Sequence, residues 1–71
     1  MAKEDYVSFE TAVYLKENGF KGRCNADYRL HTNNDVEFEV CDWLMSYDDG
    51  IPENIFLAPT QEDADKFINA L

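Results

Sequence analysis

Two alternating runs separated by three polar residues set the limits on what this chain can fold into. From Cys24 to His31, the residues Cys24, Ala26, Tyr28 and Leu30 fall on one side and Asn25, Asp27, Arg29 and His31 on the other. From Asp35 to Val40 the alternation resumes, with Val36, Phe38 and Val40 against Asp35, Glu37 and Glu39. Period two marks a strand with one face in the core. Thr32-Asn33-Asn34 between the runs predicts a hairpin. The apolar pattern also selects the register. A two-residue loop at Asn33-Asn34 sets Leu30 opposite Glu37. A three-residue loop pairs Leu30 with Val36, Tyr28 with Phe38, Ala26 with Val40 and Arg29 with Glu37. A slip of one residue turns every side chain to the wrong face, so the second register is the expected one. Asn34 then takes the left-handed position, which asparagine tolerates.

The flanking segments carry their own punctuation. SFETAVYLKENGF, Ser8 to Phe20, predicts a helix. Ser8 is its N-cap, Glu10 suits the positive end of the dipole, and Gly19 takes the left-handed C′ position. Phe20 then folds back on Leu15. Tyr6 and Val7 are expected to dock on the core, with Val7 stapling the start of the helix near Ala12. Cys41 to Met45 breaks the alternation and reads as a bulge or an irregular strand end, with Cys24 facing Asp42. Asp48-Asp49-Gly50 is a turn that Pro52-Glu53-Asn54 prolongs. Ile55 to Ala58 is an apolar run suited to a buried or central strand, and Pro59 ends it. Thr60 caps a second helix, with Asp63 as its capping-box acid. The core stripe of that helix is Ala64, Phe67, Ile68 and Leu71. The expected fold is α+β: a helix, a three-stranded antiparallel meander and a second helix, with both helices on one face of the sheet.

Seventy-one residues make a single small domain with one core. The net charge of −9 is the strongest constraint on partners. It is unevenly placed. Residues 1–24 hold four acids and four bases, whereas residues 25–71 hold eleven acids against Arg29 and Lys66. Direct nucleic-acid binding and anionic membrane surfaces are disfavoured, because phosphates need a basic footprint. No apolar run approaches the ~18 residues of a membrane span. The charged opening MAKEDYVS has no apolar signal core, so the expected compartment is the cytoplasm, with both cysteines as free thiols.

YVSFETAVYLKENGF, from Tyr6 to Phe20, resembles the opening of a group of small uncharacterised proteins of Bacteroides-type phages and prophages. Tyr6, Ser8, Glu10, Ala12, Leu15, Lys16, Glu17, Gly19 and Phe20 match their pattern. The closing APTQEDADKF, Ala58 to Phe67, resembles their terminal Ala-Pro-Thr segment and helix. That helix commonly ends Lys-Trp-Leu-Arg, where this chain has Lys66-Phe67-Ile68-Asn69. The resemblance covers about a third of the chain, on positions that are mostly caps and core. It implies a phage or prophage origin and carries over no functional residues.

No constellation of residues identifies a catalytic chemistry. Cys24, His31 and Cys41 are the soft metal ligands, and their spacing lacks the close pairs that zinc sites use. A Cys24–His31 catalytic pair would be separated by about 23 Å of strand at ~3.3 Å per residue. Asp48-Asp49-Gly50 with Glu53 lacks calcium-loop spacing. No cofactor and no enzymatic activity are expected. The expected function is a protein-binding module that occupies a partner's surface. Its site is the wet hairpin face (Asp27, Arg29, Asp35, Glu37 and Glu39) together with the loop acids Asp48, Asp49 and Glu53. The partner is a basic protein, such as a nucleic-acid-binding protein of the host. The alternative is a DNA mimic that inhibits a host defence enzyme of the restriction or CRISPR type. A homodimer through the open sheet edges is a further arrangement.

Overall fold

A computed structural model describes residues 5–71. The first four residues of the polar lead-in lie outside that range. The chain runs through α1 (Phe9–Glu17), β1 (Cys24–Leu30), β2 (Val36–Met45), β3 (Ile55–Leu57) and α2 (Gln61–Asn69). This is the expected α+β order of helix, three antiparallel strands and helix. The sheet order is β2-β1-β3, so the first strand lies at the centre and the other two are edges.

The hairpin adopts the expected register. Leu30 pairs with Val36, Tyr28 with Phe38, Ala26 with Val40 and Arg29 with Glu37. The loop closes through the His31 amide on the Asp35 carbonyl, 2.8 Å, and the Asn34 amide on the His31 carbonyl, 2.9 Å. Asn34 sits at φ 69°, the left-handed residue such a loop requires. Beyond Ala26 the register shifts. Cys24 pairs with Met45, so Cys41, Asp42, Trp43 and Leu44 all face the single residue Asn25. The expected bulge is present, but it is longer than a one-residue insertion. For that reason Cys24 faces Met45 and not Asp42.

Both helix starts follow the cap chemistry. Ser8 Oγ accepts from the Thr11 amide at 3.3 Å, and Thr60 Oγ1 accepts from the Asp63 amide at 3.3 Å. At the end of α1, Gly19 is at φ 78°. The Gly19 amide reaches the Lys16 carbonyl at 3.2 Å and the Phe20 amide reaches the Leu15 carbonyl at 3.0 Å. This paired closure satisfies the last carbonyls and swings Phe20 back onto the helix. Gly22 is then fixed by that ring, because a Cβ there would lie 2.5 Å from Phe20 Cζ.

The core lies between α1 and the sheet. Phe9 of α1 meets Tyr28 and Phe56 edge-on, with centroids 5.7 and 5.2 Å apart. Tyr6 and Val7 are buried, and the Tyr28 hydroxyl donates to the Val7 carbonyl at 2.7 Å. The Val7 amide donates to the Pro59 carbonyl, and Tyr6 bridges Thr60, which ties the lead-in to the start of α2. Ala64 of α2 joins the same core, and Phe67 packs edge-on against Phe20 at 5.2 Å. The helix α1 packs over β3. Consequently Val36 and Val40 on the far strand, expected in the core, are 42% and 43% exposed.

Candidate functional site

The face of the hairpin turned away from α1 gathers charge around one arginine. Tyr28 points toward α1, so its neighbours Asp27 and Arg29 point to the other side. Their partners Glu39 and Glu37 share that side. Arg29 Nε lies 3.6 Å from Asp27 Oδ2, and Arg29 Nη2 lies 3.5 Å from Glu39 Oε2. Glu37 and Asp42 are exposed and form no ion pair among the described residues.

Asp27 departs from the alternation: it is 1% exposed and not a water-facing residue. Arg29 lies against it on one flank, and Leu57, its fully buried partner on β3, closes the other. Burial raises the Asp27 carboxyl above its ordinary value. Arg29 opposes that shift, while Glu39 and Glu37 reinforce it. Asp27 Oδ1 and Arg29 Nε have no hydrogen-bond partner, so the buried charge is only partly compensated. Asp27 is therefore a support beneath the surface, and Glu37 and Glu39 are the paired strand's exposed carboxylates on that face.

The remaining predicted site residues divide. Asp35 belongs to the turn itself. Its Oδ2 accepts from Asn33 Nδ2 at 2.9 Å, and its amide donates to Asn33 Oδ1 at 3.2 Å. Asp48, Asp49 and Glu53 do not join the hairpin face. Tyr47–Asp49 forms a short 3-10 turn in which Asp49 Oδ2 accepts from the Ser46 amide at 3.1 Å. That carboxylate is a cap. The turn and Glu53 sit at the outer edge of β3, across the sheet from β2.

Two side chains that the sequence did not single out bond to that outer edge of β3. The Ala58 amide and the Asn54 carbonyl bond to β1, through Ala26 and Leu30. By alternation, the Leu57 amide and the Ile55 carbonyl point outward. The Leu57 amide donates to the Tyr47 hydroxyl at 2.8 Å, and Lys16 Nζ donates to the Ile55 carbonyl at 3.2 Å and the Glu53 carbonyl at 2.8 Å. Lys16 also stands over the Phe56 ring at 4.5 Å and the Tyr47 ring at 5.5 Å. Burial pushes the Tyr47 phenol up to about 12.

The opposite edge is different. Among the described residues no strand lies beyond β2. Since Ala26 and Leu30 turn their backbone groups to β3, their partners Val40 and Val36 turn theirs outward. The bulge carries Trp43 and Leu44 at 64% and 59% exposure.

The thiols and the histidine are not gathered into one site among the described residues. Cys24 is buried, and burial, with a smaller contribution from Asp63, pushes its thiol up to about 12. Cys41 is half-buried and raised by the same main cause. Both cysteines are free. His31 is exposed at the hairpin tip beside Thr32 and Asn33, in a shallow polar depression. Among the described residues no three His, Cys, Asp or Glu side chains are gathered as a metal ion would require. Nor is any helix long and apolar enough to cross a membrane. Comparison with known protein families, with curated proteins and with solved structures returned no match.

Proposed function

We propose that the protein is a small acidic, non-enzymatic binding module that occupies a basic surface of a partner protein in a bacterial cytoplasm. The phage or prophage origin is part of the proposal, and it rests on the sequence resemblance from Tyr6 to Phe20 and from Ala58 to Phe67. One observation carries the reading: Glu37 and Glu39 stand exposed on the hairpin, and Arg29, the one cation in an ion pair there among the described residues, is shared between Glu39 and Asp27. The surface is left with an acidic excess that a Lys- or Arg-bearing partner would neutralise.

A DNA mimic would need carboxylates along one phosphate-like track. The exposed acids are instead divided among α1 (Glu10, Glu17), the hairpin, the loop before β3 and α2 (Glu62, Asp63, Asp65). That spread supports surface occupation over mimicry. The test is capture from a bacterial lysate by the wild-type chain and by the double variant Glu37→Lys, Glu39→Lys. Both side chains are exposed, so the variant should melt within about 0.5–1 kcal/mol of wild type, the larger figure allowing for two cations facing each other at Arg29. A saturable partner that weakens with salt and is lost in the double variant is the expected result. Absence of any saturable partner refutes the reading, and a partner retained by the double variant refutes the site.

A further inference from the structure

We infer that the outer edge of β2 is a strand-addition site for an extended basic segment of a partner, in which Lys or Arg alternates with apolar residues. This rests on the protein-binding reading and specifies how that binding is made. The first observation is the contrast between the two edges. Two of the backbone groups that β3 turns outward, the Leu57 amide and the Ile55 carbonyl, are filled by Tyr47 and Lys16. Small sheets blunt an edge in this way to stop other strands adding to it. On β2 the outward backbone groups of Val36 and Val40 have no hydrogen-bond partner among the described residues.

The second observation is where the apolar surface lies. Of the large apolar side chains exposed among the described residues, Val36, Val40, Trp43 and Leu44 are all on β2. Tryptophan is prominent among the residues that anchor protein interfaces. The third is charge. Glu37 and Glu39 line one face of the strand and Asp42 follows in the bulge. A second copy of the chain pairing here would bring two such acidic strands together, each from a chain of net charge −9. Like charges directly opposite one another in a sheet are destabilising. A strand with Lys or Arg at alternate positions instead places its cations beside Glu37 and Glu39, and its apolar residues continue the row of Val36 and Val40. Main-chain hydrogen bonds then give affinity, and the alternating side chains give selectivity.

The experiment uses the full chain and synthetic peptides. The probe is an end-capped octapeptide alternating Lys with Val and Thr. Its controls are a version with Glu for Lys and two versions N-methylated at every second residue, one for each parity. Trp43 is the chain's single tryptophan, so its emission reports on binding directly. The expected result is a saturable blue shift with the Lys peptide and none with the Glu peptide. Exchange of the Val36 and Val40 amides should slow at least tenfold. One N-methylated parity should lose at least tenfold in affinity while the other keeps it, because only one row of peptide amides faces β2. This parity test does not depend on any protein variant folding. Val40→Pro, which removes an outward amide on an edge strand, should likewise lose binding with the melt retained. No binding by the Lys peptide overturns the inference, as does binding to both methylated parities alike. Val40 amides already protected in a dimer without peptide assign the edge to a second copy and also overturn it. In each of these cases a lysate partner still lost on Glu37→Lys, Glu39→Lys would leave the protein-binding function standing.

Discussion

Tyr47→Phe tests whether the edge of β3 is closed by chemistry or by packing alone. The change removes one oxygen and keeps the ring, so the contact of Lys16 with that ring, 5.5 Å, is retained. What disappears is the acceptor of the Leu57 amide, at 2.8 Å in a residue with 0% exposure. A buried amide left without an acceptor costs about 1–3 kcal/mol. Lys16 bonds to the carbonyls of Ile55 and Glu53 and cannot accept from that amide. For a domain of this size a loss of 1 kcal/mol lowers Tm by roughly 4–8 °C. Thermal and urea unfolding give the total, and amide exchange at Leu57 locates it. The pH dependence is an independent check. Burial raises the folded phenol to about 12 from its ordinary value of about 10. The stability tied to its proton is therefore fully present below pH ~10 and is lost as pH rises toward the folded value. Tyr47→Phe should remove that part of the alkaline loss. A variant within about 0.5 kcal/mol of wild type, with Leu57 exchange unchanged, would refute the role assigned to the hydroxyl.

The other expectations concern the buried groups. Burial raises the Asp27 carboxyl above 3.8, so the proton stabilises the folded state, and that stability falls as pH rises from about 4 through the folded value. Asp27→Asn should flatten urea midpoints over that window and be at least as stable as wild type at pH 7; a loss above about 1 kcal/mol there would show that pairing with Arg29 outweighs burial. With Cys24 at 3% exposure and its thiol pushed up to about 12, alkylation at pH 8 should modify Cys41 first and Cys24 only as the chain unfolds. Mass spectrometry of partly labelled protein decides this, and equal rates for the two thiols would refute the burial of Cys24.

The parts of this fold that were legible in the sequence are those set by neighbours in the chain. The three-residue loop fixed the hairpin pairing because a slip exposes Leu30, Tyr28 and Ala26 together. Ser8, Gly19 and Thr60 announced helix ends because capping is a matter of the adjacent turn. What the sequence concealed depends on contacts made at long range. Nothing local says that β1 is central, yet that order is what puts Val36 and Val40 on an edge strand of the sheet. Asp27 reads as a wet residue until Arg29 and Leu57 are placed against it. Tyr47 sits in an acidic turn and reads as loop; only the path from β2 around to β3 brings its hydroxyl to the Leu57 amide. Lys16 reads as a solvated helix residue for the same reason. Gly22 reads as loop punctuation until the Phe20 ring occupies the space of its Cβ.

The two strand edges also explain why so acidic a chain need not rely on charge for solubility alone. A regular strand edge flanked by Val36 and Val40, next to exposed Trp43 and Leu44, would invite pairing between copies if it were neutral. Glu37, Glu39 and Asp42 oppose that pairing, since every copy brings the same acids. The bulge from Cys41 to Leu44 opposes it further by interrupting the regular ladder. These acids therefore act twice in the proposed mechanism: they keep identical edges apart and they favour a basic strand. At β3 the alternative solution operates, with neutral side-chain acceptor Tyr47 and the Lys16 ammonium filling the backbone directly. A sheet that needed only protection could have closed both edges by plugs of that kind. Charge at β2 leaves Val36 and Val40 accessible, which is the feature the proposed strand addition uses.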